Sequence, residues 1–265
     1  MSNFKGLQIR EVHQAAVEDY ANLLSQSFIG FKPSVEYLTW LYFENPRGDV
    51  KGFDAFDGDK LVGHYACIPI KIAGYKRDSL LSLNTATHPD YQGRGLFSVL
   101  ASSTYEKVSS SYANVIGVAN AKSIGGFVKY LGFENLGNLE LRLGTLRRTT
   151  SGSRIYSRDE LEWRASCPGR TLRLSELTSG ACLVSTRVKK YLPELEAIVP
   201  LVPTHISQSV FQKIGMTLDW RRGINPIVKL PEFLKPSPLV LIFKPLLESD
   251  STILSSFSYP DFDAF

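Results

Sequence analysis

Thr85-Ala86-Thr87-His88-Pro89-Asp90-Tyr91-Gln92-Gly93-Arg94-Gly95-Leu96-Phe97 reads as a strand, a tight turn and the start of a helix. Gly93 and Gly95 take Cβ atoms out of the turn, so the backbone can come close to a ligand. The helix that begins there offers unpaired N–H groups and the positive end of its dipole. Arg94 adds a full positive charge. A strand, Gly-rich turn and helix in this order form a cradle for a pyrophosphate. No Gly-Lys-Ser/Thr follows, so the turn is not a P-loop. It also lacks the third glycine of the dinucleotide fingerprint and comes late in its domain. Taken alone, the two glycines fit a simple tight turn before a helix equally well.

Upstream, Leu7–Val12 reads as a strand and Gln14–Phe28 as an amphipathic helix. A second helix starts after Pro33-Ser34 and stops at Asn45-Pro46-Arg47-Gly48. Three strands follow at Gly52–Phe56, Leu61–Ile72 and Ser79–Thr87, joined by turns at Asp57-Gly58-Asp59 and Gly74-Tyr75. Downstream, Leu96, Phe97, Leu100, Ala101, Thr104 and Val108 recur at helical spacing. Asn114–Ala119 is a short buried strand. Ser123–Leu131 is a helix closed by Gly132, and one extended segment runs from Phe133 through Leu143. The fold class is α/β, a mixed sheet with helices on its faces.

The polar stretch Arg147–Arg154 is the expected boundary between a domain at 1–146 and a second at 147–265, with Arg147-Arg148 in a solvated linker. The second half echoes the first. Glu36–Trp40 followed by Pro46-Arg47-Gly48 resembles Asp159–Trp163 followed by Pro168-Gly169-Arg170. Strands are expected at Thr171–Leu174, Ala181–Val188, Leu195–Val199, Leu239–Phe243 and Ile253–Phe257. A helix at Val210–Ile214 is expected to be capped by Gly215. The tail from Ser258 to Asp263 reads as a loose acidic end.

The whole chain has 265 residues, with 43% hydrophobic and 21% charged, the proportions of an ordinary globular protein. No apolar run is long enough to span a bilayer, and the start lacks a signal peptide's apolar stretch, so a cytoplasmic protein with no membrane partner is expected. Three scattered cysteines and four scattered histidines give no disulfide framework and no metal-ligand spacing. A net charge of +4 suits an anionic cofactor, and no dense Lys/Arg run marks a nucleic-acid surface.

Residues 5–145 resemble the GNAT acyltransferase superfamily. Its acetyl-CoA signature is Gln/Arg-x-x-Gly-x-Gly/Ala, and Gln92-Gly93-Arg94-Gly95-Leu96 is similar to the first five positions, after the lead-in Pro89-Asp90-Tyr91. Asn120-Ala121-Lys122-Ser123, Phe127 and Leu131-Gly132-Phe133 resemble the family's second motif. The resemblance implies a GNAT-like fold and, with the echo, two tandem copies, the second degenerate. It implies acetyl-CoA as acyl donor and no metal. The edge of Thr85, Ala86 and Thr87 would pair with the pantetheine arm. The amides of Gly93, Arg94, Gly95, Leu96 and Phe97 would hold the pyrophosphate, with Gln92 opening the motif. Asn120 would hydrogen-bond the pantetheine, and Ser123 would contact the cofactor nearby.

Two positions depart from the family pattern. Phe97 is bulky where the pattern is small, and the spacing Leu96, Phe97, Leu100 turns it inward. Val128 stands where many members carry a Tyr as general acid. Tyr130 lies about 200° further round the helix and does not replace it. For the base, His64 is the candidate, on the same strand face as Val62 and Ala66. The competing reading is a hydrogen-bonded structural histidine. Asn84 is placed to orient a water. His88 caps the turn, and Glu44 and Asp90 are solvated. In the second half, Pro200-Leu201-Val202-Pro203 replaces the glycine turn and removes N–H donors. That half is expected to wall the acceptor pocket, or to pack the two sheets together, rather than bind CoA.

The expected activity is N-acyl transfer from acyl-CoA to a primary amine of a small molecule, an amino sugar being one such acceptor. The alternatives are a protein or peptide N-acetyltransferase and a non-catalytic CoA-binding module. The acceptor and the oligomeric state are left open by the sequence.

Overall fold

The computed structural model describes residues 4, 6–146, 151–178, 180–187, 193–202, 213–222, 228–229, 239–247 and 253–262. Five strands of the first half pair in chain order. They are β1 (Leu7–Glu11), β2 (Lys51–Asp57), β3 (Lys60–Ile70), β4 (Ser79–Thr87) and β5 (Asn114–Ala119). Neighbours are antiparallel except β4 and β5, which run parallel. A parallel pair needs a crossover, and helix α3 (Leu96–Val108) supplies it.

β3 is buried along all but its first residue because helices cover both faces of the sheet. Helices α1 (Val17–Ser27) and α2 (Val35–Phe43) pack on one face, and α3 and α4 (Ile124–Leu131) on the other. Ser34 caps α2, its side chain accepting from the Tyr37 N–H at 3.0 Å. Gly132 ends α4 in the left-handed conformation, at φ 69°.

The sheet does not close with the first half alone. Strand β6 (Glu134–Asn138) sits at its far edge. Between β5 and β6 lies β13 (Val240–Pro245), which comes from the end of the chain. The reverse holds in the second sheet. There β8 (Leu172–Thr178), β9 (Ala181–Thr186), β10 (Leu195–Pro200) and β11 (Lys213–Arg221) lie in order, with β10 and β11 parallel. The strand beside β11 is β7 (Glu140–Leu146), from the first half, followed by β12 (Val228–Lys229). β14 (Ser256–Ser258) pairs with the end of β11. Each parallel pair is thus flanked by a strand from the other half of the chain.

The sequence echo has a physical counterpart. Helix α5 (Arg158–Ala165) opens with a capping box between Ser157 and Glu160. Its Trp163 stacks on Trp40 of α2, with ring centroids 4.7 Å apart. Each indole N–H donates to the other residue's main-chain carbonyl, at 2.9 and 3.1 Å. Beside this pair, Arg47 bonds the buried Glu160 at 2.7 Å. One apolar core runs from α1 and α2 through these tryptophans to Tyr156, Val184 and Phe257 under the second sheet.

Several expectations need correction. Lys213–Arg221 is a strand, so Lys213–Gly215 does not end a helix; Val210 lies outside the described residues. The extended run from Phe133 splits into β6 and β7, which serve different sheets. Ile253–Ser255 is not strand, and β14 begins at Ser256. The tail is not loose. Tyr259–Asp261 forms a buried 3-10 turn with Phe262 packed beside it, and Asp263 lies outside the described residues. In the stretch read as a linker, Arg147 and Arg148 lie outside the described residues and Arg154 is buried. Among the described residues no helix is long and apolar enough to cross a membrane.

Because each half lends a strand to the other's sheet and one core joins them, the chain should unfold in one transition. Trp163→Phe deletes the donor to the Trp40 carbonyl and leaves a small void. It should cost about 2–4 kcal/mol and keep a single urea transition at a lower midpoint. A two-step melt of the natural chain would show instead that the halves fold independently.

Candidate active site

The pairing of β4 sets up the site. Residues Leu80, Leu81 and Ser82 pair with Val115, Ile116 and Gly117, and the parallel ladder then stops. Beyond Ser82 the edge of β4 that faces β5 is released. The cause lies on the other side of β4. His64 pairs with Ala86 and Ala66 with Leu83, so Asn84 and Thr85 together oppose Tyr65. This is a β-bulge, which kinks and twists the strand. Asn84 takes it up at φ 49°, the one positive φ among described non-glycine residues. Asparagine tolerates that region better than most residues.

At the end of β4, His88 caps a short 3-10 turn at Pro89–Tyr91 by accepting from the Asp90 N–H. Gln92 donates to the Thr87 carbonyl at 3.0 Å, and Arg94 to the Asp90 carbonyl at 2.8 Å. Gly93 and Gly95 have φ values of 73° and 84°, and Gly95 is the N-cap of α3. A Cβ at either would meet nothing within 4 Å, so the turn presents bare, open backbone. Leu96 is buried over Gly63 of β3. Phe97 turns inward. Its ring meets Phe127 at 4.9 Å and lies against Gly126 of α4, leaving the turn clear.

On the other side of the opening, the Asn120 Oδ1 accepts from the Lys122 and Ser123 N–H groups, at 3.0 and 3.1 Å. That oxygen is committed to starting α4. The amide nitrogen makes no hydrogen bond among the described residues. Val128 and Tyr130 are both exposed on α4, Tyr130 at 66%. Asp90 and Glu44 are exposed.

His64 is fully buried on the α1–α2 face of the sheet. Its Nδ1 lies 2.7 Å from Asp54 Oδ1, its strand partner on β2, and its Nε2 lies 2.9 Å from the Tyr42 hydroxyl. The carboxylate accepts, so Nδ1 carries the proton and Nε2 accepts from Tyr42. Asp54 Oδ2 accepts from the Tyr20 hydroxyl at 2.7 Å, and the Tyr20 ring stacks on the imidazole at 4.3 Å. Burial, with the Asp54 carboxylate beside it, pushes the Tyr20 hydroxyl far above the usual tyrosine range. Burial also pushes Tyr42 well up, and the Asn84 amide pulls it partly back. Asn84 thus lies beside Tyr42, while its buried Nδ2 makes no well-directed hydrogen bond among the described residues. Val62 does not share the His64 face. A bulge between Ala55 and Phe56 sends it into the α3-side core.

The structure therefore bonds His64 to Tyr42 and sets Asn84 beside that tyrosine without a hydrogen bond between them. Tyr20, Tyr42 and Asp54 were missed by the sequence reading. Only Asp54 left a signal, as a lone carboxylate in Gly52-Phe53-Asp54-Ala55-Phe56.

Residues 8–134 match the family described as "Acetyltransferase (GNAT) domain". No match is found among curated proteins. Among solved structures, the chain is similar to a GCN5-related N-acetyltransferase from Kribbella flavida, with TM-score 0.54 and 12% identity over 73% of this chain and 57% of that one. A GCN5-related N-acetyltransferase from Anabaena variabilis gives TM-score 0.56 and 12% identity, over 91% of this chain and 73% of that one. A protein of Pyrococcus horikoshii gives TM-score 0.56 and 13% identity, over 95% and 92%. At such identities the likeness is one of fold. The chain spans little more than half of the Kribbella protein's length.

Asp54→Ala would orphan the His64 Nδ1–H in a dry core and leave the Tyr20 hydroxyl with His13 alone, whose N–H donates to it at 3.0 Å and whose carbonyl accepts from it at 3.1 Å. Urea unfolding should show a loss of about 2–5 kcal/mol, with Asp54→Asn losing less.

Proposed function

We propose, on the premise that residues 8–134 are a GNAT acetyltransferase domain, that the chain moves an acetyl or short acyl group from acyl-CoA to a primary amine of a small molecule. The observation that carries this reading is the ending of the β4–β5 ladder at Ser82 and Gly117, beside a bare Gly93–Gly95 turn at the start of α3. A released strand edge pairs with an extended amide-bearing chain as an added strand would. A positive-φ glycine turn at a helix N-terminus suits phosphates.

In this reading the amides from Gly93 to Phe97 hold the pyrophosphate, and the edge of Thr85, Ala86 and Thr87 holds the pantetheine arm. The Asn120 amide nitrogen hydrogen-bonds that arm, with Ser123 nearby. Acetyl-CoA, when bound, supplies the acetyl group as a thioester. The amine must lose a proton before it attacks. We assign its removal to a relay. Tyr42 takes the proton on its oxygen while passing its own to His64 Nε2, and Asp54 stabilises the imidazolium. Asn84, beside Tyr42 in the bulge, orients the amine or a bridging water. His64 and Tyr42 are both fully buried, so in this reading a water held at the half-buried Asn84 carries the proton to Tyr42, and His64 is the base behind it. Val128 offers no proton, so α4 gives no acid at that position. An amino sugar is one acceptor that fits the reading. The division at 146/147 belongs to the same proposal, with the second half walling the acceptor pocket.

Calorimetry should detect acetyl-CoA binding by the natural chain. Gly95→Asp adds an anion and a strained positive φ where the phosphates would lie, and should weaken binding at least about 100-fold while the fold is kept. No binding by the natural chain would remove the cofactor site. In a thiol-release screen over small amines, His64→Ala and Tyr42→Phe should each lower turnover at least about tenfold with acetyl-CoA affinity unchanged. Normal turnover in both would remove the relay.

A further inference from the structure

A second site lies at the other end of β3. Beyond Ile70, Ile72 forms an isolated antiparallel bridge with Arg154. This places Arg154 about 25 Å along the strand from the His64–Ala86 pair, at ~3.3 Å per residue. Arg154 lines a polar cleft, with Ser153, Thr217, Arg221, Ser256 and Ser258 among its other walls.

Arg154 is only 2% exposed. Its Nη1 donates to the Asp261 carbonyl at 2.7 Å, and its guanidinium lies 4.6 Å from the centre of the Tyr156 ring. Nε and Nη2 are buried and have no hydrogen-bond partner among the described residues. These two donors form one edge of the planar group. A neighbour shows what that edge takes: Arg142 uses its Nε and Nη2 to grip both oxygens of Asp219, each at 2.5 Å. On Arg154 the same edge is bare, which is costly for a buried charged donor.

The carboxylates of the cleft do not fill that edge. Asp219 is taken by Arg142 and by Arg221 Nε at 2.8 Å. Asp261 accepts from the Tyr156 hydroxyl at 2.6 Å and the Ser258 N–H at 2.7 Å. Burial raises the Asp261 pKa, against the pull of Arg154. Arg164 stands behind the turn and donates to the Pro260 carbonyl at 3.1 Å. Asp219 is thus committed to Arg142 and Arg221, and Asp261 to Tyr156 and Ser258, which leaves the Nε–Nη2 edge of Arg154 without a carboxylate among the described residues.

We propose that this cleft binds a small oxyanion, a carboxylate or phosphate group held side-on by Arg154 with the Thr217 hydroxyl beside it. Two oxygens of such a group match the Nε–Nη2 edge, and the threonine hydroxyl can donate to another. The bound anion would tie the segment after β3 to β11, β14 and the final turn. It stands apart from the acyl-transfer reading, because no residue is shared between the two sites.

The test is thermal unfolding of the full chain with inorganic phosphate or succinate, against sodium chloride at equal ionic strength. The expected result is a saturable rise in Tm with at least one of the two, weakened at least about tenfold in apparent affinity by R154K, which keeps the charge but loses the fork. A rise with phosphate alone identifies a phosphate-bearing ligand, and with succinate alone a carboxylate. Acetyl-CoA binding should be the same in R154K, so the two proposals fail separately. No rise beyond chloride, or an equal rise in R154K, overturns the site. Should R154K not fold, anomalous diffraction from crystals of the natural chain soaked in selenate decides. A peak against Nε and Nη2 supports the site. No peak there, including peaks from an adventitious ion only elsewhere, overturns it.

Discussion

A strand inside a protein must have its N–H and C=O groups paired on both sides, and in this chain neither half supplies enough strands to do so. β5 needs a neighbour between itself and β6, and the end of the chain provides β13. β11 needs the same, and the first half provides β7. This reciprocal exchange fixes the rest. It draws α2 against α5, where Trp40 and Trp163 satisfy each other's indole and carbonyl groups. It also places the final turn under Arg154 and Tyr156. The two halves thereby interlock through exchanged strands and one apolar core.

The candidate active site uses a different means, a local failure of pairing. The bulge at Asn84 and Thr85 ends a ladder that would otherwise close the gap between β4 and β5. Freed ladder groups and an Asn84 amide nitrogen with no partner among the described residues are unfavourable in themselves. The surrounding core over-determines them, with β3 buried on both faces and the His64 face locked by Asp54, Tyr20 and Tyr42. Rigid support next to unsatisfied groups is what a pre-organised site requires.

The buried tetrad also bears on how the histidine is understood. As a structural element it is complete, since each polar atom has a partner with good geometry. The relay proposed above would run through the same Tyr42–His64–Asp54 hydrogen bonds, so one set of contacts serves the fold and the proposed proton transfer alike.

The local elements of the first half were legible in the sequence, because each has a local cause. Gly132 ends α4, Ser34 starts α2, and Gly93 and Gly95 mark a positive-φ turn. The motif at Gln92–Leu96 and the Trp echo were equally local patterns. What the sequence did not show depends on long-range pairing. Nothing in Val240–Pro245 says that it joins the first sheet, since any apolar strand fits several edges. Lys213–Gly215 read as the end of a helix, yet the edge of β7 made it strand. The acidic tail read as loose until Tyr156 and Arg154 gave Asp261 its partners. His64 and Asp54 are ten residues apart in sequence and were brought opposite each other only by strand register. The sequence determined which segments could be helix, strand or phosphate-type turn, because those choices rest on backbone conformation near each residue. Tertiary structure alone decided which strands paired and which buried charges met, because those choices rest on satisfying distant partners at once.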